Sequence, residues 1–142
     1  MTVKHFFDTV ILRMNIMEEY KGKKITVMGL GLNGGGLEAA RFFASKGAEV
    51  TVTDLRSAEI LRPSMEKLSE FDIRYVLGCH DAADFENADI VIKNPAVPLT
   101  SPYLAKAKRI ETDISVFLSE FHGDIIAVTG SKGKSTTVSA IY

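Results

Sequence analysis

The chain is short of several things. It has a single cysteine, Cys79, among 142 residues. One cysteine cannot close an internal disulfide, so a stapled secreted domain is excluded and a reducing cytoplasm is the expected location. Basic residues are not in excess: 17 Lys and Arg stand against 18 Asp and Glu, for a net charge of −1. That balance argues against a nucleic-acid-binding surface. No apolar run approaches the roughly 18–20 residues of a membrane span. What is present is ample apolar material, 46% of the residues, which suffices for a real core and argues against disorder.

At the N-terminus Phe6, Phe7, Val10, Ile11, Met14 and Met17 fall close to helical spacing. Asp8, Arg13 and Asn15 interrupt the run and no small-residue cleavage site follows, so a signal peptide is not expected. Residues 1–17 read as an N-terminal extension, either a short amphipathic helix packed on the domain or on a neighbouring chain, or sequence upstream of a true start at Met17.

From Lys23 the pattern becomes regular. Strands are expected at 24–29, 49–53, 73–77, 88–92, 109–111 and 124–128. Helices are expected at 37–46, 57–71, 101–108 and 113–121, the third with Pro102 at its first position and the last capped by Asp113. Residues 81–87 read as a polar connection or short helix. Strands that are continuously apolar and alternate with helices imply an α/β fold: a Rossmann-like parallel sheet with helices on both faces. His122–Gly123 is the expected joint between this unit, residues 18–122, and the start of a second one at 123–142.

Two glycine motifs carry chemistry. Gly29-Leu30-Gly31-Leu32-Asn33-Gly34 fits G-x-G-x-x-G between a strand and a helix, and Asp54 follows 20 residues after Gly34 at the end of the second strand. Glycines let the backbone approach a diphosphate, and a helix N-terminus offers free N–H groups and partial positive charge. The pattern does not identify the nucleotide, and a nicotinamide-dependent oxidoreductase or a nucleotide-sensing module would carry the same loop. In the second motif, Thr129 to Thr136, Gly133-Lys134-Ser135 is the G-K-[ST] core of a phosphate-binding loop: backbone N–H groups cradle phosphates, a lysine neutralises β/γ oxygens and a hydroxyl ligates Mg²⁺. Strict spacing would need glycine at Val128, and the first glycine comes two residues later, at Gly130. Cys79-His80-Asp81 reads as a turn after the third strand, since no second cysteine exists and His5 and His122 are remote in sequence.

A Rossmann-like unit followed by T-G-[ST]-x-G-K-[ST]-T resembles the Mur ligase family, the ATP-dependent amide ligases that add amino acids to the peptidoglycan precursor. The matching stretches are Tyr20 to Lys23, Gly29 to Gly34, Thr53 to Arg56, Asn94 to Pro98, Glu111 to Ile114 and Ala127 to Thr136, spread over 18–142. They are most similar to the N-terminal part of the member that joins D-glutamate to UDP-N-acetylmuramoyl-L-alanine through an acyl phosphate. The resemblance implies that Gly31, Leu32, Asn33 and Gly34 lie against the UDP diphosphate, with Asp54, Leu55 and Arg56 framing uracil and ribose. It implies a further contact from Asn94, Pro95 and Ala96, where the family often has glycine in place of Ala96. It implies ATP on Gly130, Ser131, Lys132, Gly133, Lys134, Ser135 and Thr136, with Mg²⁺ on Ser135. Lys132 stands where the pattern is variable. The catalytic base, the remaining metal ligands and the D-glutamate site are expected outside this chain, which alone should bind the UDP moiety and be inactive as a ligase.

Overall fold

A computed structural model describes residues 19–32 and 34–141. The N-terminal extension and Asn33 lie outside the described residues. Five strands form one parallel sheet: β1 (Lys24–Met28), β2 (Glu49–Asp54), β3 (Ile73–Leu77), β4 (Ile90–Lys93) and β5 (Ile110–Glu111), in the order β3-β2-β1-β4-β5. The order reverses at β1, whose neighbours are β2 and β4. In open parallel sheets that switch point opens a crevice at the carboxyl ends of the strands.

The helices are α1 (Gly35–Ser45), α2 (Ala58–Glu66), α3 (Ala82–Glu86), α4 (Asp113–Glu120) and α5 (Lys134–Ile141). Alternation along β1 divides the core. Ile25 and Val27 pack with Leu37, Ala40 and Phe43 of α1 and with Leu61 of α2. Met28 faces the other way, onto Phe85 of α3, Val91 and Leu104. Both faces are therefore covered, which is why the strands carry apolar residues on both sides. Phe43 and Phe85 are fully enclosed, each contributing about 2–3 kcal/mol of burial free energy. Gly47, at φ +76, ends α1: its N–H bonds Ala44 O at 3.0 Å and Ala48 N–H reaches back to Phe43 O at 3.1 Å, the left-handed C-terminal turn expected of a glycine there. Tyr20, 3% exposed, packs edge-on against Phe42 and Phe43 and donates a 2.8 Å hydrogen bond to Glu120.

Four expectations need correction. The helix expected at 101–108 is a three-residue 3₁₀ turn, Leu104–Lys106, after a turn that holds Pro102. Its one buried residue is Leu104, so no apolar stripe exists to hold further turns on the sheet. The cap of α4 is Thr112 rather than Asp113: Thr112 Oγ1 accepts from Ser115 N–H and Ser115 Oγ accepts from Thr112 N–H, a reciprocal capping box. The second helix is shorter than 57–71, running Ala58–Glu66 with Ser57 at its N-terminus and turns beyond. No strand forms at 124–128. A strand exists only where a neighbour accepts its ladder, and among the described residues none pairs with this stretch, leaving Ile125 and Ile126 50% and 74% exposed.

Candidate functional site

The first glycine turn sits at the switch point. It leaves β1 where Gly29 N–H still bonds Thr53 O at 2.8 Å, and it enters α1 at Gly35. The closest backbone approach is made by Gly36, further along than the motif places it. A methyl group on Gly36 would lie 2.0 Å from Gly29 O and 2.7 Å from Leu30 O. Gly34 has a different role. It adopts φ +111 at the N-cap of α1 and has nothing within 4 Å of the position its side chain would take. That open space lies where a ligand would approach the helix terminus.

The turn is braced from three sides. Ser64 of α2 donates to Gly31 O at 2.9 Å. Asp54, 7% exposed, accepts from Gly31 N–H at 3.2 Å on one oxygen and from Arg56 N–H at 2.9 Å on the other. Its carboxylate thus organises both loops, and only its spare lone pairs remain for a ligand. Asn94 N–H bonds Met28 O at 3.1 Å, and its side-chain oxygen accepts from Ala96 N–H at 3.0 Å.

Two adjoining clefts result. One, about 260 Å³, lies between the ends of β1, β2 and β4 and is lined by Met28, Asp54, Leu55, Arg56, Asn94, Ala96 and Val97, together with His80. The other, about 300 Å³, runs over the start of α1 and is lined by Leu32, Gly34, Gly35, Pro95 and Asp113 among others. Gly31, Arg56, Asn94 and Ala96 line both. Every described residue assigned to the UDP site from sequence therefore borders one or other of these adjoining clefts.

Three further residues shape it. Lys93, 9% exposed, curls its ammonium onto the carbonyls of Asn94 at 3.0 Å and Val97 at 2.6 Å, moulding the loop after β4. Asp113 places Oδ2 3.3 Å from where a Gly35 side chain would begin, setting a carboxylate beside the N-terminus of α1. His80, from the loop after β3, places Nδ1 2.6 Å from Thr53 Oγ1. Burial holds its pKa below the ordinary histidine value, with Asp54 acting in the opposite direction. A lysine ending an apolar strand was a detectable signal. For His80 and Asp113 only the chain crossings supply one.

The second glycine motif does not border these clefts. Gly133, at φ +81, leads directly into α5, whose first residue, Lys134, donates from Nζ to Gly130 O at 2.5 Å. Among the described residues no three His, Cys, Asp or Glu side chains group as a metal site. No described helix is long and apolar enough to cross a membrane.

Fold and cleft together define a Rossmann-like unit with open clefts at the switch point of its parallel sheet. A family model described as the Mur ligase MurD-like N-terminal domain matches residues 23–116, and the chain belongs to that family. Among curated proteins, UDP-N-acetylmuramoylalanine--D-glutamate ligase of Borreliella burgdorferi (strain ATCC 35210 / DSM 4680 / CIP 102532 / B31) is 53% identical over 129 residues, covering 89% of this chain and 29% of the relative. The protein of the same name from Treponema pallidum (strain Nichols) is 52% identical over 127 residues, covering 85% and 24%. The chain thus spans less than a third of the length of these relatives. Among solved structures, a pseudomurein peptide ligase type C from Methanothermus fervidus superposes with a TM-score of 0.51 at 27% identity, over 82% of this chain and 24% of that one. A dipicolinate synthase from Bacillus halodurans shares the fold, with a TM-score of 0.50 at 22% identity over 82% and 43%.

Proposed function

We propose that the cleft binds the uridine diphosphate half of UDP-N-acetylmuramoyl-L-alanine, and that the chain is the N-terminal part of a cytoplasmic ligase joining D-glutamate to that substrate. The observation that carries this is the pair of adjoining clefts that runs from Asp54, Leu55 and Arg56 to the open N-terminus of α1. Its inner lobe has apolar walls suited to a flat base. Its outer lobe presents helix N–H groups and partial positive charge to a diphosphate. Leu32 and Gly34 border that lobe, and Arg56 reaches both. Relatives named for this ligase activity at 52–53% identity support the same reading.

Residues 123–142 are read as the start of an ATP-binding domain. Gly130, Ser131, Lys132, Gly133 and Thr136 would surround the phosphates, Lys134 would neutralise β/γ charge and Ser135 would offer Mg²⁺ one oxygen. The donor set fits a cation that takes few protein ligands and completes its shell with phosphate and water. ATP supplies the phosphoryl group that activates the substrate carboxylate as an acyl phosphate. This chain's part is to hold the uridine end so that the carboxylate is positioned, the effect that dominates such chemistry.

The test is a calorimetric titration of the 142-residue chain with UDP, NAD and ATP. UDP should bind with modest affinity and more tightly than NAD. Equal or tighter binding of NAD would replace this reading with a nicotinamide-dependent oxidoreductase, for which Asp54 at the end of β2 is the motivating residue.

A further inference from the structure

The chemistry left unused in the inner lobe is that of His80. Its ring is fixed on two sides. Phe85 and Tyr103 meet it edge-on, with centroids 5.9 and 5.0 Å away. Nδ1 meets Thr53 Oγ1, and Thr53 is fully buried. Thr53 Oγ1 also lies 3.2 Å from Cys79 O. A carbonyl only accepts; with the one hydroxyl proton of Thr53 on Cys79 O, Thr53 Oγ1 accepts from His80 Nδ1–H. In the neutral ring Nε2 is then a bare acceptor, and burial keeps the ring neutral near pH 7. Among the described residues Nε2 has no hydrogen-bond partner, nor is it a sealed, unsatisfied atom.

Among the described side chains lining this lobe, Nε2 is the acceptor without a partner: each Asp54 oxygen already holds one backbone N–H, Asn94 Oδ1 holds Ala96 N–H, and the Arg56 guanidinium only donates. We infer that His80 is a specificity-determining residue of the nucleoside lobe, its Nε2 accepting a hydrogen bond from the imide N–H of a uracil base. This rests on the uridine reading above. Uracil offers that N–H flanked by two carbonyls, so a fixed acceptor at His80 and the donors of Arg56 complement its edge. Cytosine carries a bare nitrogen at the imide position, which would set two acceptors face to face. A mismatch of that kind leaves polar groups unpaired and discriminates strongly.

The test uses the 142-residue chain and four titrations: UDP and CDP against wild type and against His80→Phe, which keeps the edge-on aromatic packing. Wild type should favour UDP at least tenfold. In His80→Phe that preference should fall to within about threefold, through weaker UDP binding and little change for CDP. Equal weakening of both nucleotides would assign Nε2 to a ribose hydroxyl and overturn the proposal, as would undiminished preference for UDP. Thr53→Val covers a folding failure of the first variant: it leaves the ring but removes the acceptor that sets its tautomer, and should likewise narrow the preference. Long-range ¹H–¹⁵N spectra of wild type should show the proton on Nδ1, and a proton on Nε2 would overturn the assignment. If wild type binds neither nucleotide, the uridine reading fails and this one with it. If wild type binds UDP but the variants discriminate as before, only the assignment of His80 fails.

Discussion

Gly36 in α1 stacks directly on the carbonyl of Gly29, leaving 2.0 Å between that oxygen and the position of a Gly36 Cβ. The contact joins the end of β1 to the first turn of the helix that follows it, and it sets how closely that helix can lie over the sheet. No side chain can be accommodated unless helix and strand separate. Gly36→Ala should therefore destabilise the domain by about 2–4 kcal/mol, in the range of overpacked or strained core substitutions, although alanine is the better helix former. Chemical denaturation of the two proteins measures this, and an unchanged midpoint would refute it.

Gly34 gives the contrasting case. Its Cβ would meet nothing within 4 Å, and the penalty for a side chain is the φ of +111 alone. A non-glycine residue there costs about 1–3 kcal/mol of backbone strain. Gly34→Val should thus leave a folded domain while filling the space in front of α1. UDP binding should be lost in a titration while the circular dichroism spectrum stays native-like. Wild-type affinity in this variant would mean that the turn is only structural.

The difference between these two glycines was not legible in the motif. G-x-G-x-x-G ends at Gly34, yet the packing contact falls on Gly36 because α1 begins at Gly35. Spacing locates a loop, but which residue touches the strand depends on where the helix axis starts. Strands β1 to β3 were plain in the sequence because each is mostly apolar or β-branched, with Arg74 the one charged residue away from their ends. The segment around Pro102 was misread because its helical signals were local, while the helix it suggested had only Leu104 to bury. Asp54 is a candidate by its place at the end of the second strand, and Arg56 and Asn94 are candidates by the family resemblance. His80 and Asp113 lie 33 residues apart and reach these adjoining clefts only through the strand order.

Asp113 places negative charge beside the helix terminus that would receive a diphosphate. Like charges in a partly solvated cleft repel, and the effect weakens with salt. Asp113→Asn should tighten UDP binding several-fold at low ionic strength and much less at high. It should also weaken α4 by about 0.3–1 kcal/mol, because an acid in the first turn favours a helix. Titrations at two salt concentrations check both size and sign. Weaker binding by the variant would show instead that the carboxylate itself contacts the ligand.

Tyr20 predicts an alkaline limit to stability. Burial, then the hydrogen bond to Glu120, raises its phenol pKa well above the ordinary value of 10.0. The folded state therefore holds this proton more tightly than the unfolded chain. The stabilisation is complete below about pH 10, where phenols in unfolded chains begin to ionise, and is lost as pH rises beyond it. Tyr20→Phe should cost about 0.5–1.5 kcal/mol at neutral pH and flatten the decline above pH 10. Some slope should remain from Tyr75, whose pKa burial also raises. Denaturant melts between pH 7 and 11 distinguish the two proteins, and identical alkaline slopes would contradict the role of Tyr20.

The two glycine loops should act independently within this chain. Lys134 closes on Gly130 O in an exposed turn, and no residue from Gly130 to Thr136 borders the cleft formed around Gly31 and Asp54. Lys134→Ala should accordingly leave UDP affinity unchanged within about twofold. The 142-residue chain should release no phosphate from ATP, with or without D-glutamate, since phosphoryl transfer needs a closed, water-excluding site around the loop and the flanks of this one are exposed. A protein of the relatives' full length carrying this segment should gain ATP- and D-glutamate-dependent phosphate release and lose it on Lys134→Ala, because the lysine would then neutralise charge on the transferring phosphoryl group. A phosphate-release assay on the four proteins decides the matter. Turnover by the 142-residue chain would mean that the boundary between the nucleotide-binding unit and the ATP-binding domain is wrongly placed near Gly123, and a fall in UDP affinity on Lys134→Ala would mean that the two loops share one site.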